Sequence, residues 1–198
     1  MVYQILQNIQ QMIQWTTEEK EAFVSILKIK RVKKKEFIIH EGQICNEIFF
    51  INSGCLRMFY NINGEERILD FLMENRWYTD YISFLQEVPT GVNVQALLPS
   101  EVVCYNKADL NQLYDRYHKI ERLGRIMAEF QFMQLKSSYK MISNESPEER
   151  YINLIKKKPG LVEKVSQKHI ASFLQIRPET LSRIRNRIAT KEKELKVS

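Results

Sequence analysis

Residues 165–188, VSQKHIASFLQIRPETLSRIRNRI, hold the side chains in this chain whose types and spacing could act together chemically. The chemistry would be hydrogen bonding into a nucleic-acid groove. Apolar residues fall at Ile170, Leu174, Ile176, Leu181 and Ile184, and Ala171 is small enough to let two helices cross closely. Ile170 and Leu174 lie one helical turn apart, and Leu181, Ile184 and Ile188 make the matching stripe on the next segment. Pro178 suits a first helical turn, where a missing N–H loses no partner. Glu179, Ser182, Arg183, Asn186 and Arg187 then point outward, a polar face of the kind that reads base edges in a major groove. The pattern predicts a helix-turn-helix. It also fits an ordinary amphipathic pair in a bundle with solvated arginines. One position departs from the usual turn: Gln175 stands where glycine is favoured, and a side chain there adopts a left-handed conformation at some cost.

The elements that must position this face come from the rest of the chain. With 198 residues there is room for one large or two small domains and a real core. A hydrophobic content of 44% argues for a folded chain, not a disordered one. The net charge of +6 is unevenly spread: residues 1–115 carry −4, residues 116–143 carry +4, and residues 144–198 carry +6. An acidic front and a basic back imply that only the back meets phosphate. Cys45, Cys55 and Cys104 form no CxxC pair and no zinc or iron–sulfur ligand set, so reduced thiols and no bound metal or cofactor are expected. The first residues, VYQILQNIQQMIQW, space Val2, Ile5, Leu6, Ile9 and Ile13 as an amphipathic helix, and their glutamines exclude a signal-peptide core. No apolar run reaches membrane-spanning length, so a cytoplasmic protein with no membrane partner is expected.

Helix is predicted to continue over residues 17–29, with Phe23, Ile26 and Leu27 inward. From Glu36 the period becomes extended. Residues 37–39 precede a turn at Glu41-Gly42, and residues 48–51 form a strand ended by Asn52-Ser53-Gly54. Residues 55–62 alternate, Asn63-Gly64 makes a two-residue hairpin turn, and residues 67–72 return as the partner strand. Residues 92–98 and 102–105 add two more. Short strands at such intervals predict a β-sandwich or barrel flanked by helices. After Asp109 a short helix over residues 110–117 leads into a long one over residues 119–142. Along it Ile120, Leu123, Met127, Phe130, Ser137 and Met141 fall near coiled-coil spacing, with Ile126 and Met133 on an adjacent face. Such a helix can be buried on two sides, by its own β-domain and by a second copy, although a monomer's core helix would read similarly. Residues 144–149, with Ser146 before Pro147, predict a hinge and a new helix start.

This order of parts resembles the Crp/Fnr family of transcription regulators. The resemblance runs from about Thr17 to Ala189 and is carried by IFFINSGCLRMFYNINGEERILDFL, WYTDYISFL and IASFLQIRPETLSRIR. It implies an α+β fold. Residues 1–115 would form a jelly-roll-like, cyclic-nucleotide-binding-like β-roll effector domain. A dimerisation helix would span residues 116–143, and residues 144–198 would form a winged-helix-type helix-turn-helix domain. It further implies base contacts at Pro178, Glu179 and Arg183, with Thr180 and Ser182 near phosphates. Arg183 could donate two parallel hydrogen bonds to guanine, and Glu179 could accept from cytosine N4. Pro178 has no side-chain donor and should read its base pair more weakly. Lys168, His169, Arg177, Asn186 and Arg187 complete the expected contact set. The implied partners are a palindromic double-stranded operator, a second copy of the chain, a small-molecule effector of unknown kind, and RNA polymerase.

The effector half departs from the branch of the family that binds cyclic nucleotides. Those proteins hold the ribose and cyclic phosphate with a Gly-Glu pair and, about ten residues on, an arginine before a small residue. Thr79-Asp80 and Thr90-Gly91 occupy the corresponding places, and no Arg or Lys lies between Arg76 and Lys107. A buried phosphate without a cation is poorly compensated, so cyclic AMP or cyclic GMP is not expected as effector. Tyr78, Thr79, Asp80, Thr90, Gly91 and Phe130 are the candidate effector-pocket residues. Two other readings remain. One is a cupin-like metal enzyme on the β-roll, which would need histidines clustered on neighbouring strands, whereas His40, His118 and His169 lie in three separate regions with no H-x-H pair. The other is a dimeric ligand-binding protein whose DNA domain is inactive, against which the intact Glu179/Arg183 face argues.

Overall fold

Alternation of apolar and polar residues lets a strand bury one face, but several strands here bury both. The computed structural model describes the backbone of residues 2–197 and the side chains of all but residues 135, 137–144 and 191–197 within them. Two four-stranded antiparallel sheets face each other. The first has the order β1 (Lys28–Val32), β8 (Ser100–Asn106), β3 (Glu47–Ser53), β6 (Arg76–Tyr78). The second has the order β2 (Phe37–Ile39), β7 (Asn93–Ala96), β4 (Cys55–Ile62), β5 (Glu65–Met73). Between them lie Ile39, Phe49, Ile51, Leu56, Leu72, Val94, Val102 and Cys104, all buried. This is the expected roll. The β4–β5 hairpin turns at Asn63 (φ 54°) and Gly64 (φ 84°), both left-handed, which matches the twist of the two strands.

The alternate residues of each sheet point away from the roll and are covered by helices. On the first sheet Ile48, Phe50, Val103 and Tyr105 pack under α1 (Tyr3–Gln10), α2 (Thr17–Ser25), α4 (Lys107–Arg116) and the first half of α5 (His118–Asn144). Ile5, Ile9, Phe23 and Ile120 are fully buried in that layer. A capping box between Thr16 and Glu19 starts α2. That helix ends at Ser25, earlier than its periodicity predicts, because Lys28 already pairs with Cys104. The sequence also hides β6 and α3 (Tyr81–Gln86), each too short to show a period. Gly124 is where α5 crosses α4: a Cβ there would lie 2.1 Å from the Tyr114 hydroxyl oxygen.

The second sheet's outer face, Cys55, Phe59, Ile68 and Phe71, is covered by the C-terminal helices. These are α6 (Pro147–Lys157), α7 (Leu161–Lys164), α8 (Gln167–Phe173) and α9 (Pro178–Val197). Ser146 and Glu149 form a capping box with Pro147 at the start of α6, as the sequence predicts. The winged-helix type implied by the resemblance shows no wing among the described residues, since every strand precedes Lys107 and α9 runs unbroken for 20 residues. The physical reason is local: after Ile188 the sequence ATKEKELKV offers no glycine, proline or turn residue and is rich in helix formers.

Candidate nucleic-acid interface and effector cavity

The residues of the expected helix-turn-helix divide into a buried and an exposed set, as their spacing requires. Ile170, Ala171 and Leu174 of α8 meet Leu181 and Ile184 of α9 in one buried cluster, with Ile176 and Ile188 packed against it. Between the helices Gln175 adopts φ 55°. Ile176 N–H donates to the Ala171 carbonyl at 3.0 Å and Gln175 N–H to the Ser172 carbonyl at 3.1 Å, a Schellman closure that turns the chain sharply into α9. Glutamine therefore does the work usually given to glycine.

Pro178, Glu179, Ser182, Arg183 and Asn186 are exposed on one side of α9, and Lys168 and Arg177 are exposed beside it. Thr180 is half-buried and accepts from Arg183 Nη2 at 3.4 Å, which steadies the guanidinium against the helix. Arg187 is engaged by Glu148 of α6 in an ion pair. His169 is the correction. The sequence reading aims it at DNA, but its Nε2 lies 3.1 Å from Arg57 Nη1 on β4 and its Nδ1 is buried with no hydrogen-bond partner among the described residues. The reason is helical geometry: His169 shares a face of α8 with Ser172, three residues on, and that face packs on β5.

Arg57, Glu66 and Ser172, which the sequence reading passed over, make this contact. Arg57 is buried; its guanidinium donates to Glu66 Oε1 at 2.7 Å and to Gln95 Oε1 at 2.8 Å. The Arg57 hydrogen bond is the main reason that the Glu66 carboxyl is held below its usual range. Ser172 Oγ accepts from Ile68 N–H at 3.1 Å and donates to the Glu66 carbonyl at 3.2 Å. Since β5 is the edge of its sheet, Ser172 satisfies backbone groups that would otherwise be open. Lys158 reaches Asp70 and the Phe71 carbonyl. The signal for Arg57 is visible afterwards: it interrupts the outward row Cys55, Arg57, Phe59, where an arginine has to be paired.

Of the candidate effector-pocket residues, Tyr78, Thr79 and Phe130 line one cavity of about 140 Å³. Asn8 and Met12 from the N-terminal region, Ile48, Trp77, Met127 and Gln131 complete much of its wall. Trp77 Nε1 donates to Asn8 Oδ1 at 2.6 Å, joining two sides of it. Asp80, Thr90 and Gly91 are not part of the lining. Asp80 Oδ1 caps α3 by accepting from Ile82 N–H at 3.2 Å, while its other oxygen accepts from the Thr90 hydroxyl. The two residues standing where cyclic-nucleotide binders hold ribose and phosphate thus satisfy each other. Among the described residues no group of three or more His, Cys, Asp or Glu could hold a metal ion, and no helix is long and apolar enough to cross a membrane. His40 stacks on Phe37 with ring centroids 4.0 Å apart.

Of the long helix, Ile120, Leu123 and Met127 are buried against the β-domain and Ile126 packs beside them. Phe130, Phe132 and Met133 are exposed, while Ser137 and Met141 lie outside the described side chains.

Residues 29–117 match the cyclic nucleotide-binding domain family. No curated protein sequence matches the chain. Among solved structures, FixK2 from Bradyrhizobium japonicum superposes with a TM-score of 0.71 at 15% identity, over 84% of this chain and 86% of its own. A Crp/Fnr-family regulator from Eubacterium rectale gives 0.68 at 16% identity, covering 89% and 85%. The c-di-GMP-responsive global regulator CLP of Xanthomonas campestris gives 0.64 at 12% identity, covering 89% and 93%. Residues 29–117 thus match the cyclic nucleotide-binding domain family, in a chain whose fold is similar to those of FixK2 and the Eubacterium rectale regulator.

Proposed function

We propose that the protein is a sequence-specific, DNA-binding transcription regulator that acts as a homodimer and not as an enzyme. The observation that carries this reading is the division of α8 and α9 into a buried stripe and an exposed face of Glu179, Ser182, Arg183 and Asn186. Residues 144–198 would form the DNA-binding domain, residues 116–143 the dimerisation helix and residues 1–115 the effector domain. Phe130, Phe132 and Met133, exposed on α5, support a second copy as the helix's outer partner. The Asp80–Thr90 pairing and the absence of Arg or Lys between Arg76 and Lys107 argue against a cyclic nucleotide as effector. An effector entering the cavity beside Trp77 and Phe130 would be small and mostly apolar. Its binding would shift the population of dimer geometries toward the one matching two successive major grooves.

Selection of DNA from a random library with the purified protein and no added ligand tests the reading. Enrichment of a two-fold palindrome is expected of an unliganded-active regulator. Salt-sensitive binding without enrichment would make the effector a requirement. Loss of even nonspecific binding, or a monomer at DNA-binding concentrations, would overturn it.

A further inference from the structure

The C-terminal helices do more than continue the chain past the roll; they cover a whole face of it. Cys55 and Phe71 are fully buried, in one apolar cluster with Tyr151, Leu154, Leu161, Val165 and Ile170 of the C-terminal helices. At the rim of this apolar contact sits one polar cluster of Arg57, Glu66, Gln95 and His169. Arginine keeps its protons and can only donate, so His169 Nε2 must be the acceptor at 3.1 Å. That requires the neutral imidazole. A protonated ring would present an N–H to an N–H and a cation to a cation.

We propose that the contact between α8 and the β4–β5 hairpin is a proton-operated latch, in which neutral His169 holds the C-terminal helical unit on the roll and protonated His169 releases it. The charged groups facing the ring are Arg57 from β4, Glu66 from β5 and Lys168 from α8 itself, two cations against one carboxylate that is already committed to Arg57. Burial first, and Arg57 second, hold the His169 imidazole below its ordinary value, in keeping with that balance. A docked ring that resists protonation makes the undocked state the better proton acceptor. Docking is therefore strong above the ordinary histidine value of 6.5 and weakens as the pH falls below it. The latch stands whether or not α9 reads DNA, so its failure and the failure of the regulator reading are separable.

The three cysteines supply the test. Cys55 faces the C-terminal helices, whereas Cys104 lies inside the roll and Cys45 is buried beside Thr79. The full chain is treated with a dipyridyl disulfide at about pH 7.5 and about pH 5.5, and labelling of each cysteine is followed by peptide mass, normalised to denatured protein at the same pH. One pH unit below 6.5 a released imidazole is about ten times more protonated than neutral, which sets the ceiling of the effect at about tenfold. Cys55 labelling should rise toward that ceiling on acidification while Cys45 and Cys104 stay protected. His169→Gln, which can accept but cannot be protonated, should abolish the rise. Arg57→Gln, which removes the opposing cation, should diminish it, and it supplies the test if His169→Gln does not fold. An unchanged Cys55, a rise shared by all three cysteines, or a full rise persisting in the folded variants would overturn the latch.

Discussion

Replacing Ser172 by alanine removes a single oxygen from the contact between α8 and the edge of the second sheet. That oxygen accepts from Ile68 N–H at 3.1 Å and donates to the Glu66 carbonyl at 3.2 Å. Leaving a buried donor without a partner costs about 1–3 kcal/mol. Ser172 is only half-buried, so water can reach part of the vacated space and the lower part of that range applies, about 1–2 kcal/mol. The loss belongs to docking and not to the sheet, because the ladder from β4 to β5 does not involve Ser172. Amide hydrogen exchange resolves the two: the Ile68 amide of Ser172→Ala should exchange about 5–30 times faster, the factor that 1–2 kcal/mol gives. The Val103 amide, paired between β3 and β8, should not change. If Ile68 exchanges at the same rate in both proteins, Ser172 does not protect the edge and the docking argument loses its backbone component. If Ile68 and Val103 accelerate together, the substitution has weakened the whole fold instead.

Gly54→Ala should cost about 2–4 kcal/mol in urea unfolding, since φ is +100° and a Cβ would lie 2.7 Å from the Ser100 Cα. Gly160→Ala, at φ +75° with nothing within 4 Å, should cost only about 1 kcal/mol; equal costs would show that the close approach does not matter. Arg183→Ala should lose about 1–3 kcal/mol on the selected operator and relax one base position, while an equal loss on random DNA would make it a phosphate contact. Lys168→Ala should weaken binding to all sequences and lower the salt slope by about one, and an unchanged slope would remove Lys168 from the interface. Glu66 favours its ionised form in the folded protein, chiefly through Arg57, so its contribution is present above the ordinary value of 4.5 and is lost as the pH falls through the lowered one. Glu66→Gln should therefore flatten the acid limb of the urea midpoint against pH, and an unaltered profile would show the pair to be too solvated to contribute.

The sequence by itself determined the local elements and the faces they bury. Alternation over residues 55–62, with Asn63-Gly64 after it, dictates the β4–β5 hairpin, because only residues tolerant of positive φ close so short a loop. Ile170, Leu174, Leu181 and Ile184 at helical spacing dictate which side of α8 and α9 is buried, and so which residues are left to face a partner. Tertiary structure decided what could not be local. Whether His169 points to solvent or to Arg57 depends on a residue 112 positions away. The cavity combines Asn8, Trp77 and Phe130, from three distant segments whose meeting leaves no periodic trace. The effector-pocket residues divide for the same reason: Asp80 and Thr90 have polar groups that find each other once the chain is folded, while Tyr78, Thr79 and Phe130 are left to line the cavity. Periodicity records which face of an element is apolar; only packing determines which other face it meets.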